Sequence, residues 1–72
     1  MTRARVDQRH LAERLFGILD AFTAERPRLS LSEISRRTGL PVATVHRLVA
    51  QLVTWGALDR GPDGRYGIGI RL

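Results

Sequence analysis

The sequence predicts a mostly α-helical domain, three helices, closed by a small β-hairpin. Three observations carry that expectation. Apolar residues recur at helical spacing in three segments, Gly39 with Pro41 separates the second from the third, and the C-terminal stretch alternates about a Gly61-Pro62-Asp63-Gly64 turn. At 72 residues the chain makes one domain, residues 1–72. A domain of that size buries a modest core and leaves no room for a catalytic core with an ordinary substrate pocket.

Residues 1–6 read as a flexible basic arm. From about Asp7 to Ala24, the residues Leu11, Leu15, Ile18, Leu19 and Phe22 share one helical face. Asp7 suits an N-cap, and Pro27 blocks continuation. Phe16 falls off this stripe onto a shoulder with Ala12 and Thr23, either ordinary surface or a contact for another subunit. After Arg26-Pro27-Arg28, Leu29 begins a short strand.

Ser30-Leu31-Ser32-Glu33 has the form of a capping box. The serine hydroxyl accepts from a free amide while the glutamate reaches back to the serine amide. The spacing predicts a second helix over 31–38, with Leu31, Ile34 and the Arg37–Thr38 edge inward. Gly39 suits the left-handed residue that ends a helix, and Pro41 suits the first turn of the next. The third helix, about 41–55, carries Val45, Leu48, Val49 and Leu52 on its inner face, with Trp55 on nearly the same side. Ala43, Arg47, Ala50 and Thr54 lie opposite, flanked by Thr44 and Gln51 on one edge and His46 on the other. Residues 57–60 and 65–70 form the hairpin strands, in which Tyr66, Ile68 and Ile70 make one apolar face against the bare Gly67 and Gly69.

The order helix, short strand, helix, helix, strand, strand is that of a winged helix-turn-helix. Two short helices joined by Gly39-Leu40 have the spacing of that motif, whose second helix enters the major groove of duplex DNA. The charge agrees: twelve basic residues, all arginine, stand against seven acidic ones for a net +5. Such an excess fits a phosphate backbone and also fits simple solubility, so it gains meaning only with the helical pattern. Other chemistry is poorly supplied. There is no cysteine for a disulfide or thiolate site, and His10 and His46 lack metal-ligand spacing. No glycine loop of phosphate-cradling form, no Gly-x-Ser-x-Gly elbow and no run of apolar residues fit to span a membrane occurs. The reading is a non-enzyme with no cofactor and no metal, cytoplasmic, and partnered by double-stranded DNA.

The first two turns of the third helix go deepest into a groove, which makes Val42, Ala43, Thr44, His46 and Arg47 the candidate DNA contacts. Arg47 suits a guanine edge or a phosphate. Thr44 either bonds a phosphate or sits at the helix shoulder; His46 either touches DNA or idles in solvent. Val42 and Ala43 offer apolar contact, as to a thymine methyl. Arg60 and Arg65 flank the hairpin turn, placed to clasp the backbone or enter a narrow minor groove, or to stay solvated. The alternative function is a winged-helix protein-interaction or dimerisation module without DNA readout.

The run from Leu31 to Pro41, then Thr44-Val45-His46-Arg47-Leu48 and Leu52, resembles the isocitrate lyase regulator (IclR) family of bacterial transcription regulators. Gly56-Ala57-Leu58 and Asp63 to Gly69 are similar to its wing, and Leu15, Ile18, Leu19 and Phe22 to its first helix. The resemblance implies a DNA-binding domain of a dimeric or tetrameric regulator, usually a repressor, controlled by a small-molecule effector through a C-terminal domain. It also implies that this chain is the N-terminal fragment without that domain. By itself the fragment is expected to be monomeric, and the first-helix shoulder of Ala12 and Phe16 is the expected dimer contact in the longer protein. Two positions depart from the family: Ala43 stands where serine is frequent, and Val42 where a polar or basic residue is common. Thr44 and Arg47 keep the pattern.

Overall fold

A computed structural model describes the backbone of residues 2–69 and the side chains of residues 10–69. Three helices and three short strands follow in the order α1 (Thr2–Asp20), β1 (Arg28–Leu29), α2 (Leu31–Thr38), α3 (Val42–Thr54), β2 (Leu58–Arg60) and β3 (Tyr66–Ile68). The strands form one antiparallel sheet in the order β1-β3-β2, with Leu29 opposite Tyr66 and Leu58 opposite Ile68. Hairpin and edge strand thus close over the helices. Ile18, Leu29, Ile34, Val45, Val49 and Leu58 are the largest fully enclosed side chains, drawn from every helix and from two strands.

α1 differs from its sequence expectation at both ends. Residues 2–6, read as a loose arm, continue the helix, and Asp7 lies inside it instead of capping it. Arg3, Ala4 and Arg5 are good helix formers, and no glycine or proline interrupts the chain before Gly17. At the other end the helix stops at Asp20, well before Ala24. Thr23 and Arg26 pair through both backbone groups (3.2 and 3.1 Å), and the Thr23 hydroxyl accepts from the Arg26 amide at 3.1 Å. A threonine that bonds nearby backbone offers the chain an alternative to another helical turn.

α2 has the predicted bounds and cap. Ser30 Oγ accepts from the Glu33 amide at 3.2 Å, and Glu33 Oε1 accepts from the Ser30 amide at 2.8 Å. Glu33 at its start and Arg36 with Arg37 at its end complement the helix dipole. Arg37 also donates to the Ala21 carbonyl just past α1, at 3.3 Å, tying the two helices together.

α3 ends in a Schellman turn. Ala57 N–H donates to the Leu52 carbonyl (2.8 Å) and Gly56 N–H, at φ 80°, to that of Val53 (3.0 Å). The reversal makes the small, buried Ala57 the residue that completes the core. Trp55, expected on the inner side, instead projects into solvent and is 82% exposed. The hairpin turn has a Gly64 N–H to Gly61 carbonyl bond of 3.1 Å, a non-positive φ at Asp63 and a left-handed Gly64 (φ 81°). That is a type I turn followed by a left-handed residue, a common short hairpin link. The strands are shorter than read, and Ile70 lies outside the described residues. Tyr66 is buried as expected, whereas Ile68 on the same face is 45% exposed, near the edge of the core.

Candidate nucleic-acid interface

The α2–α3 turn places the candidate reading surface. Gly39 ends α2 at φ 77°, a conformation glycine adopts without steric cost, and its amide donates to the Ser35 carbonyl at 2.9 Å. Two hydroxyls then stitch the turn. Ser35 Oγ donates to the Leu40 carbonyl at 2.6 Å, and Thr38 Oγ1 donates to the Ile34 carbonyl at 2.8 Å while accepting from the Leu40 amide at 3.2 Å. From the sequence alone, Ser35 stands out only as a small residue where the two helices cross. The bond to Leu40 depends on where the chain turns back, which spacing along one helix does not show.

Pro41 precedes α3 in extended geometry (φ −58°, ψ 146°), one residue before its first turn, and no side chain caps the helix. In α2 the Ser30 hydroxyl takes up the third leading amide, that of Glu33, whereas no side chain takes up any leading amide of α3, which leaves them to water or an anion. Val45, Leu48, Val49 and Leu52 are buried, which fixes the rotation of α3 about its axis. Val42, Ala43, His46, Arg47, Ala50, Gln51 and Thr54 are consequently exposed, and Thr44 is half-buried at the edge. Of the five α3 residues singled out from sequence, four thus share one end and the outward side of the helix, with Thr44 at its margin.

Arg60 closes β2 and Arg65 precedes β3, both exposed and directly across the turn, where the Gly61 amide donates to the Arg65 carbonyl at 2.8 Å. On α1, Ala12 is half-buried and Phe16 is 67% exposed, beside an exposed Leu11. The side chains of the N-terminal arginines, Arg3, Arg5 and Arg9, lie outside the described residues. Among the described residues no three His, Cys, Asp or Glu side chains gather as a metal site. No described helix is long and apolar enough to cross a membrane.

Among the described residues one titratable group is clearly displaced. The Glu33 carboxyl is held below its usual range, first by the hydrogen bond from the Ser30 amide, against a smaller opposing effect of burial. The Ser30 hydroxyl and the charges of Arg65 and Arg26 act in the same direction as that amide, and Arg26 lies 3.8 Å away. The shift marks a capping residue rather than a reactive one.

A helix-turn-helix with an exposed α3 and a basic hairpin beside it defines a winged helix-turn-helix DNA-binding domain. The IclR helix-turn-helix domain matches residues 11–62, and the chain belongs to that family. It is similar to the HTH-type transcriptional regulator XynR of Escherichia coli, 36% identical over 61 residues that make up 83% of this chain and 24% of that protein. To the regulator KipR of Bacillus subtilis it is 42% identical over 45 residues, 62% of this chain and 18% of KipR. Among solved structures, an IclR homolog from Microbacterium hydrocarbonoxydans, complexed with 4-hydroxybenzoate, superposes with a TM-score of 0.82 at 38% identity. That match covers 85% of this chain and 25% of the other. An IclR-family regulator from Brucella abortus gives 0.82 at 35% identity, over 85% and 24%. The chain spans about a quarter of the length of XynR and of these structures, and less of KipR.

Proposed function

We propose that this chain is the operator-reading head of an IclR-type transcription regulator, with α3 in the major groove and the hairpin wing against the flanking backbone or minor groove. The observation that carries the reading is the rotation of α3. Its apolar stripe is buried in full, so the uncapped N-terminal end, Val42, Ala43, His46 and Arg47 face outward together. Thr44 stands at the edge of that surface. Arg47 reads a guanine edge or anchors a phosphate, Val42 and Ala43 make apolar contact with base edges, and Arg60 and Arg65 engage the wing-side phosphates.

In a longer protein, two such heads related by two-fold symmetry read two half-sites of a pseudo-palindrome. Phe16 and Ala12 on α1 make the contact between them, and the chain by itself is monomeric. The regulator acts in the cytoplasm as a repressor, released or engaged by a small molecule held in a C-terminal domain. The complex of the Microbacterium relative with 4-hydroxybenzoate supports small-molecule control.

Selection from a random-sequence duplex pool tests the reading. Enrichment of one common half-site is expected, and its best-defined positions should relax in Arg47→Ala and Val42→Ser variants. A pool that stays random after repeated rounds rejects sequence-specific binding.

A further inference from the structure

Arg28 has no part in the reading surface described above, yet it holds the wing from outside. It sits on β1 opposite Gly67 of β3. Strand alternation puts both on the sheet face away from the core, because their neighbours Leu29 and Tyr66 are buried. From there the guanidinium reaches the hairpin turn. Nη2 donates to the Arg65 carbonyl at 3.0 Å and lies 3.9 Å from Oδ1 of Asp63. The same Arg65 carbonyl accepts the Gly61 amide that closes the hairpin, and the same Asp63 oxygen accepts the Arg65 amide at 3.1 Å. One side chain from ahead of the helix-turn-helix thus joins both acceptors that shape the turn.

Two glycines clear its path. A β-carbon on Gly67 would stand 3.2 Å from Arg28 Nη1, and one on Gly61 would collide with the guanidinium. Neither glycine has a left-handed φ, so the backbone does not require them there; the room they leave does. The ion pair with Asp63 is exposed on both sides, 43% and 57%, and such pairs add little to folding stability. Its consequence is geometric, because a turn fixed before binding loses less freedom on binding.

We propose that Arg28 is a positioning residue for the wing: it holds the Gly61–Arg65 turn so that Arg60 and Arg65 meet DNA in a preset arrangement. This rests on the DNA-binding reading of the wing. A free arginine contributing only charge to phosphate attraction is the competing role, and the two part company under substitution. Arg28→Ala removes the clamp and its charge. Gly61→Ala evicts the guanidinium and keeps the charge.

The test measures affinity for the duplex that the chain selects from a random pool, with thermal melting of each variant as a folding control. Arg28→Ala and Gly61→Ala are each expected to weaken binding about three- to tenfold, a coupling of ordinary size for contacting groups. In a chain already carrying Arg60→Ala and Arg65→Ala, neither should weaken it further. Losses that multiply in that background, with Gly61→Ala binding like the parent, overturn the proposal in favour of a plain charge. Hydrogen exchange without DNA separates the clamp from the DNA reading. Faster exchange of the Gly61 amide in Arg28→Ala supports the clamp even if the parent chain binds no duplex, an outcome that removes the DNA reading alone. Unchanged Gly61 exchange overturns the clamp whatever the binding result.

Discussion

Arg47 and Ser35 act at opposite ends of one short distance, the first on the outward face of α3 and the second under the turn that aims it. Arg47 is exposed and has no protein partner among the described hydrogen bonds and ion pairs, so its removal leaves the fold intact. Arg47→Ala is expected to lower affinity for the selected duplex by about 1–3 kcal/mol with melting unchanged. An unaltered sequence preference in that variant rules out base reading by Arg47 and leaves a phosphate contact. Ser35→Ala works in the other direction. It deletes the 2.6 Å bond to the Leu40 carbonyl and is expected to lower folding stability by about 1 kcal/mol, seen in denaturant unfolding. Gly69 is constrained by space. A β-carbon there would run into the Gly56 backbone, so Gly69→Ala should lower stability by about 1–3 kcal/mol, and a variant as stable as the parent would show that the two segments can part freely. Residue types alone marked Arg47 and the αL glycine at 39. They did not show the hydrogen bonds of Ser35 or Arg28, whose partners lie across a turn or on another strand.

At the scale of elements, α2 was legible because its start and stop are written in local chemistry, a capping box and a left-handed glycine. Its stability should depend on pH. Glu33 has a depressed carboxyl pKa, so the folded state holds its charged form; the stabilisation is full above the ordinary glutamate range and is lost as pH falls through the folded value below it. Glu33→Gln should flatten the acid limb of the stability profile, and an unchanged acid limb would mean the box does not act through charge. α1 was legible in its middle and not at its ends, where the Thr23–Arg26 pairing decides the stop. Gly17 lies inside that helix with open space where a β-carbon would stand. Gly17→Ala should raise stability by up to about 1 kcal/mol, measured by thermal melting. A loss instead would place another surface close against α1. Trp55 keeps the helical register, its amide donating to the Gln51 carbonyl at 3.1 Å, but as the last residue it sits on the rim of the buried stripe, where its side chain is left in solvent.

The whole molecule places a buried stripe, an outward helix and a basic turn around one core. The order of elements was readable from punctuation by glycine and proline, and the outer face of α3 followed from its inner face. The pairing of β1 with β3 was not readable, since two residues carry too little pattern to name a partner strand, and the path of Arg28 across Gly67 depends on that pairing. Self-association belongs to this scale as well. With Phe16 67% exposed on α1, a longer protein carrying this domain should lose cooperative binding to paired half-sites on Phe16→Ser while retaining single half-site affinity. Equal cooperativity in that variant would move the subunit contact elsewhere. The central claim, that this chain reads duplex DNA by sequence and holds it by charge, meets its most direct test in a fluorescence anisotropy titration. The selected duplex and a scrambled one are compared at several salt concentrations. Tighter binding of the selected duplex, with affinity for both falling steeply and linearly in log salt, is expected. Equal affinity for the two duplexes, or affinity indifferent to salt, contradicts it.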